Sequence, residues 1–370
     1  MKSRWRRFIG FGLAALLCAA CSTQDEGAAF NYYVYVTLAT TGKVAVFSMN
    51  AGSGALSEVT GSPFAAGAEP RSVAADPSGK YVYVANYFSD SISAYALDAA
   101  TGGLTAITGS PFSAGLGPYA IAVEPAGKFL YVANADNDNV WPYLIDPDTG
   151  ALAPYSSLAA PAGIHPSSAA VDPAGKFLYV ANEYSGNISA YAINAGSGEL
   201  AAVPGSPFAT GGYPRAVAVD PGGKFLFAAN NASRNVSAFA IDAVTGALTV
   251  VAGSPFSAGI DPVAVAVEPS AQFVFVGNWS SSNVSAYTFD PDTGALAAIS
   301  GSPYAAGSGP SAIAVDPQGK FVFVANYWSD DISSFSLNST TGALTKRSGS
   351  SQAVADGAHP SSIAVARIQK

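Results

Sequence analysis

Short hydrophobic runs alternate with period two along the chain, as in Tyr81-Val82-Tyr83-Val84-Ala85-Asn86, and each run is closed by Gly, Pro, Asn or Asp. Such alternation specifies strands with one side chain in two on each face. Beyond residue 20 no 3.6-residue periodicity occurs, which excludes helical bundles and doubly wound α/β folds. The pattern also repeats. Asp76-Pro77, Glu124-Pro125, Asp172-Pro173, Asp220-Pro221, Glu268-Pro269 and Asp316-Pro317 are spaced by 48 residues, as are Pro70, Pro118, Pro166, Pro214, Pro262 and Pro310; Pro360 follows after 50.

One unit holds four strand signals. Residues 71–76 form the first, and Asp76-Pro77-Ser78-Gly79 is a type I turn whose Gly supplies a positive φ. Residues 80–86 form the second and 91–97 the third. Asp98 to Gly102 turns the chain, and a fourth strand runs up to Gly109-Ser110-Pro111-Phe112. Four-stranded units of about 40–50 residues are propeller blades. The second strand occurs seven times, starting near Tyr33, Tyr81, Phe129, Phe177, Phe225, Phe273 and Phe321. The first strand also occurs seven times, but its last copy (361–366) ends the chain and the first copy of the second strand has none before it. An all-β, seven-bladed propeller follows, with one blade built from both chain ends. Ala74, Ala122, Ala170, Ala218, Ala266, Ala314 and Ala364 suit innermost strands that crowd the axis.

Composition narrows the function. Only 11% of residues are charged against 49% hydrophobic, where about 25% charged is usual, so Ser, Thr, Asn and backbone must cover the surface. Two His and two Cys leave little material for a zinc site or a Cys-His nucleophile pair, and no cofactor motif is present. A pI near 4.7 argues against a nucleic-acid partner.

Lys2, Arg4, Arg6 and Arg7 precede an apolar stretch from Phe8 to Ala20, the layout of a secretory signal and too short for an ordinary spanning helix. Leu17-Cys18-Ala19-Ala20-Cys21 resembles a bacterial lipobox, with Cys18 where that pattern carries Leu. The resemblance implies a signal over 1–20, lipidation of Cys21, a tether over 21–30 and a propeller over 31–370. It also implies outer-membrane sorting through Ser22 and contact with the membrane only through the lipid. Both cysteines are thereby accounted for, and loss of four basic residues makes the remaining chain more acidic still.

The second strands end Tyr83-Val84-Ala85-Asn86, Tyr131-Val132-Ala133-Asn134 and Tyr179-Val180-Ala181-Asn182, with looser copies at Phe227-Ala228-Ala229-Asn230, Phe275-Val276-Gly277-Asn278 and Phe323-Val324-Ala325-Asn326. This resembles the YVTN repeat of bacterial and archaeal surface proteins and, more broadly, the lactonase-like seven-bladed propellers. The repeated residues are structural, so the likeness speaks to fold more than to activity.

Propeller topology sorts the loops. The acid-Pro turns and the Thr-Gly turns share one face, where Asp146/Asp148 and Asp290/Asp292 have carboxylates close enough for calcium but each fits a turn rule; no metal site is expected. The other face varies. Before each strand-opening Pro stand Glu69, Gly117, His165, Tyr213, Asp261, Gly309 and His359; after it stand Arg71, Tyr119, Ser167, Arg215, Val263, Ser311 and Ser361. These positions ring the channel mouth and include both histidines. Tyr87, Phe88, Tyr184, Trp279, Tyr327 and Trp328 follow the strand-ending Asn on the same face, offering rings suited to sugars or a protein. Blade 2 departs from the repeat with Asp136-Asn137-Asp138-Asn139, Trp141-Pro142 and no Gly-Ser-Pro-Phe, and Pro142 predicts a bulge.

These features favour an exported, non-catalytic binding module for an envelope glycan or protein, using Glu69, Arg71, Asp136, Asp138, Trp141, Tyr213, Asp261, Trp279, Trp328 and His359. The family resemblance implies an alternative, lactone hydrolysis at the channel mouth by His165 and Arg215. The family's Cys-His-Ser-Ala-Asn and Gly-Pro-Arg-His segments correspond here to His165-Pro166-Ser167-Ser168 and Tyr213-Pro214-Arg215-Ala216. Arg215 matches, whereas Ser167 and Ala216 replace the two histidines.

Overall fold

The computed structural model describes residues 30–155 and 159–369; the signal segment, Cys21 and residues 22–29 lie outside them. Seven antiparallel sheets stand around one axis. In blade 1 the order from the axis outward is Pro70–Ala75, Tyr81–Asn86, Ser91–Leu97 and Leu104–Ala106. Blades 2 to 6 open at Pro118, Pro166, Pro214, Pro262 and Pro310. Blade 7 joins the chain ends, with Pro360–Gln369 paired along Phe30–Leu38. Ring closure by the two termini leaves no open innermost edge.

The outer strand differs from the single run expected. Leu104–Ala106 pairs with the end of Ser91–Leu97, the chain leaves the sheet, and Phe112–Ser113 returns to pair with Ile92 and Ser91. Ser110 Oγ fills the gap by accepting the Ala94 N–H at 2.9 Å. Ser62, Ser206, Ser254 and Ser302 do the same in their blades. Blade 2 has Pro142 at the position of Ala94, with no N–H to satisfy. Pro142 also stays in register opposite Tyr131. The expected bulge is therefore absent: the Pro and the missing Gly-Ser-Pro-Phe are one coupled change.

The repeated polar residues hold the turns. Asp76 is buried, and its Oδ1 accepts the N–H groups of Lys80 and Tyr81 at 2.8 and 2.6 Å. Asn86 is fully buried, donates to Ser91 and Ser93 and accepts the Gly67 N–H at 3.0 Å. A Cβ on Gly67 would sit 2.7 Å from Asn86 Cβ, so this Gly and Asn require each other. Adjacent blades share apolar clusters, as where Tyr33 and Val46 meet Val73, Val82 and Val84. They are also stitched by hydroxyls: Tyr83, Tyr131 and Tyr179 donate to the carbonyls of Gly150, Gly198 and Gly246.

Every innermost strand starts at the face that carries the variable loops. Phe30 and Gln369 are paired at the other end of their strands, on the opposite face with the acid-Pro turns.

Candidate functional site

The variable face opens into a cavity of about 540 Å³ at the mouth of the central channel, lined by the first residues of the innermost strands and by loop side chains. Its chemistry divides by blade. Blades 1 to 4 contribute Arg71, Tyr119, Ser167 and Arg215; blades 5 and 6 contribute Asp261, Trp279 and Tyr327.

On the first side, Glu183 organises the charges. It follows the strand-ending Asn182, is buried, and its N–H donates to the His165 carbonyl at 2.9 Å. Arg215 Nη1 donates to Glu183 Oε2 at 2.7 Å, and His165 Nδ1 lies 3.1 Å from the same oxygen. The histidine contact is close but off the N–H line, so Nδ1 is buried without an aligned hydrogen bond. Arg215 also reaches the Tyr119 hydroxyl at 3.4 Å. Burial opposes the Arg215 charge, but Tyr119 and Glu183 outweigh it and hold the guanidinium above its ordinary pKa. Arg71 pairs with Glu69, its Cζ lies 5.6 Å from the Tyr119 ring centroid, and its buried Nε has no partner among the described residues. Tyr119 thus stands between two arginines, with its ring 5.5 Å from that of His165.

The backbone explains why His165 faces this cluster. Its φ is +57°, a left-handed conformation that a non-Gly residue holds only when its surroundings fix it. Asp138 Oδ1 accepts its N–H at 2.8 Å, and Tyr184 packs on its ring at 4.6 Å. His359 repeats the device in blade 7, with φ +53° and its N–H on Asp330 Oδ1 at 2.8 Å.

The remaining predicted positions fall into two groups. Glu69, Tyr213, Asp261, Trp279, Trp328 and His359 belong to the rim, Tyr213 through its ring contact with Tyr184 and the last three in one aromatic cluster. Asp136, Asp138 and Trp141 serve the framework instead. Asp136 accepts the Tyr87 hydroxyl at 3.0 Å, and burial together with this bond pushes Tyr87 up to about 12. Asp138 is committed to the His165 backbone. Trp141 lies in the third strand of blade 2, opposite Val132, packed against the core between blades 1 and 2. The carboxylates considered for calcium are also committed: Asp146 and Asp290 Oδ1 each accept two N–H groups of their own turns.

Glu183 escaped the sequence reading, although a signal existed. The same position in the other blades carries Ala39, Tyr87, Ala135, Asn231, Trp279 and Tyr327, so Glu183 is its only acid.

The family described as Lactonase, 7-bladed beta-propeller matches residues 28–117, 110–207, 166–258 and 252–355. The chain belongs to this lactonase family. No curated protein matches it in sequence. Its fold is shared with a candidate 6-phosphogluconolactonase from Bacteroides uniformis, at 19% identity and TM-score 0.80 over 91% of this chain and 99% of that one. A second candidate 6-phosphogluconolactonase, from Bacteroides fragilis, gives 21% and 0.79 over 94% and 99%. A periplasmic gluconolactonase from Pseudomonas aeruginosa gives 21% and 0.75 over 91% and 98%. Ser167 Oγ is buried and donates to the Pro214 carbonyl at 3.0 Å, and Ala216 offers no proton-transfer group.

Proposed function

We propose that the protein hydrolyses an uncharged sugar lactone at the channel mouth. The observation that carries this reading is the Glu183 carboxylate set between His165 and Arg215 beside a cavity that admits a small ligand. Family membership and this cluster favour hydrolysis over the non-catalytic module expected from the sequence.

With Nδ1 beside the Glu183 carboxylate, the tautomer assigned to His165 carries its proton on Nδ1 and leaves Nε2 as the base. Nε2 takes a proton from water as the water oxygen attacks the lactone carbonyl carbon. The tetrahedral oxyanion collapses, the bond from that carbon to the ring oxygen breaks, and the imidazolium returns its proton to the ring oxygen. The product is an open-chain hydroxy acid, which ionises. Arg215 has five N–H donors and spends one nitrogen on Glu183 and Tyr119, which leaves others for the oxyanion. The partnerless Arg71 Nε is a further donor.

The charge balance supports a substrate without phosphate. Arg71 and Arg215 each face a carboxylate, and Asp261 adds another at the cavity wall. A phosphate dianion would add negative charge to a mouth whose two arginines are already balanced by carboxylates.

The test is hydrolysis of glucono-1,5-lactone and its 6-phosphate above the spontaneous rates. Turnover of the unphosphorylated lactone, lost in Arg215→Ala, is the expected result. Absence of turnover with both would return the protein to the role of a binding module for an envelope glycan or protein.

We place the protein in the cell envelope, anchored through Cys21 at the outer membrane, on the signal and lipobox pattern. Phe30, the first described residue, lies on the face opposite the cavity. Among the described residues no helix is long and apolar enough to cross a membrane.

A further inference from the structure

The aromatic half of the mouth is not used by the chemistry above. Trp279 and Tyr327 line the same cavity as Arg215. Their ring centroids are 5.1 Å apart, and Trp328 packs edge-on to both at 5.8 and 4.8 Å. His359 stacks on Tyr327 at 4.4 Å with planes 14° apart. It is itself locked by Thr40 Oγ1 on Nδ1 at 2.7 Å and by Asp330 on its N–H. Tyr327 is therefore backed by a fixed ring and presents a rigid wall. Trp328 is 57% exposed at the outer end of that wall.

Beside the wall stands Asp261. Its carbonyl accepts the Trp279 N–H at 2.8 Å and its Oδ2 accepts the Ser280 hydroxyl, while Oδ1 has no partner among the described residues. A carboxylate oxygen next to indole and phenol rings matches the two sides of a pyranose: hydroxyls for the acceptor, the C–H face for the rings. The cavity has the size of a site for ligands larger than one sugar ring, and its two ends differ in chemistry.

We infer that Trp279, Tyr327, Trp328 and Asp261 form a subsite for a second sugar, glycosidically attached to the lactone being opened. The substrate class is then an aldonolactone at the end of a di- or oligosaccharide, with the lactone ring at His165 and the next ring on the aromatic wall. This inference rests on the lactonase reading for the first ring but not for the second.

The experiment compares glucono-1,5-lactone with cellobiono- and maltobiono-1,5-lactone, using wild type and Trp328→Ala. One disaccharide lactone should exceed the monosaccharide lactone about tenfold in kcat/KM, and that ratio should collapse toward one in Trp328→Ala. A ratio near one in the wild type, or one unchanged in the variant, overturns the subsite. Tryptophan fluorescence titrated with cellobiose and maltose separates the two readings. If no lactone is hydrolysed but a disaccharide quenches the emission and Trp279→Ala abolishes the quenching, the hydrolase reading fails and the subsite stands. No quenching together with no disaccharide preference removes the subsite whatever the hydrolase result.

Discussion

Asp138 Oδ1 accepts the backbone N–H of His165 at 2.8 Å, across the gap between one blade's outer loop and the next blade's first strand. The bond fixes the Ile164–His165 peptide and so aims the imidazole at Glu183. Both residues have positive φ, at 52° and 57°, which makes this pair the hinge on which the site is set.

Loss of that acceptor should disturb catalysis more than folding. Asp138→Ala is expected to lower kcat about tenfold with little change in KM, and to cost about 1 kcal/mol of stability. Asp138→Asn keeps an oxygen acceptor and tolerates the left-handed backbone, so it should stay close to wild type. Equal losses in both variants would assign the carboxylate's charge, rather than its hydrogen bond, to the site.

Glu183 is the more severe position. Glu183→Gln removes the charge that balances Arg215 and orients His165, and kcat/KM should fall about a hundredfold. The guanidinium left without its counter-ion should lower stability by about 1–2 kcal/mol, less than for a fully buried pair because Arg215 is partly solvated. Steady-state kinetics beside chemical denaturation check both numbers. Retention of full activity would exclude Glu183 and His165 as a working pair.

The sequence revealed the fold further than the site because repetition reports whatever every blade needs. Asp76, Asn86 and Gly67 recur since each turn and each strand end must satisfy its own buried backbone, and those residues were legible for that reason. The mouth is where copies stop resembling one another, so its location was legible as variation at His165, Arg215 and Trp279. Its wiring was not. Glu183 meets Arg215 across 32 residues, and Tyr119 meets Arg215 across 96, separations that the packing of successive blades around one channel brings together. Asp138 was read as a ligand because an Asp-rich loop and a backbone acceptor look alike in sequence. Pro142 was read as a bulge because its missing N–H has meaning only beside the Ser110-type hydroxyl that blade 2 lacks.

Tyrosine hydroxyls offer a test of the stitching between blades. Tyr83 OH donates to the Gly150 carbonyl at 3.0 Å inside the protein, so Tyr83→Phe should cost about 1 kcal/mol. Tyr35 occupies the same place in blade 7, but its buried hydroxyl has no partner among the described residues, and burial raises its pKa strongly. Tyr35→Phe should therefore be neutral or stabilising. The denaturation midpoint should fall for Tyr83→Phe and hold or rise for Tyr35→Phe; a matching loss in both would mean that ring packing, not the hydroxyl, sets the effect.

Acid should weaken the turns of the face opposite the mouth. Backbone N–H groups of residues 100, 149, 245 and 292 hold Asp98, Asp146, Asp242 and Asp290 below the ordinary 3.8, with Thr hydroxyls and neighbouring amides adding to the effect. A depressed carboxylate contributes stability above its unfolded pKa, and that contribution disappears as pH falls through the lower folded value. Asn50, Asn194 and Asn338 fill the same position in three other blades and accept the same bonds without titrating. Changing the four Asp to Asn should accordingly leave the thermal midpoint at pH 7 nearly unchanged and flatten its decline below about pH 4. Melting curves between pH 2 and 7 decide the matter. Parallel curves for the two proteins would mean that these four carboxylates do not set the acid sensitivity.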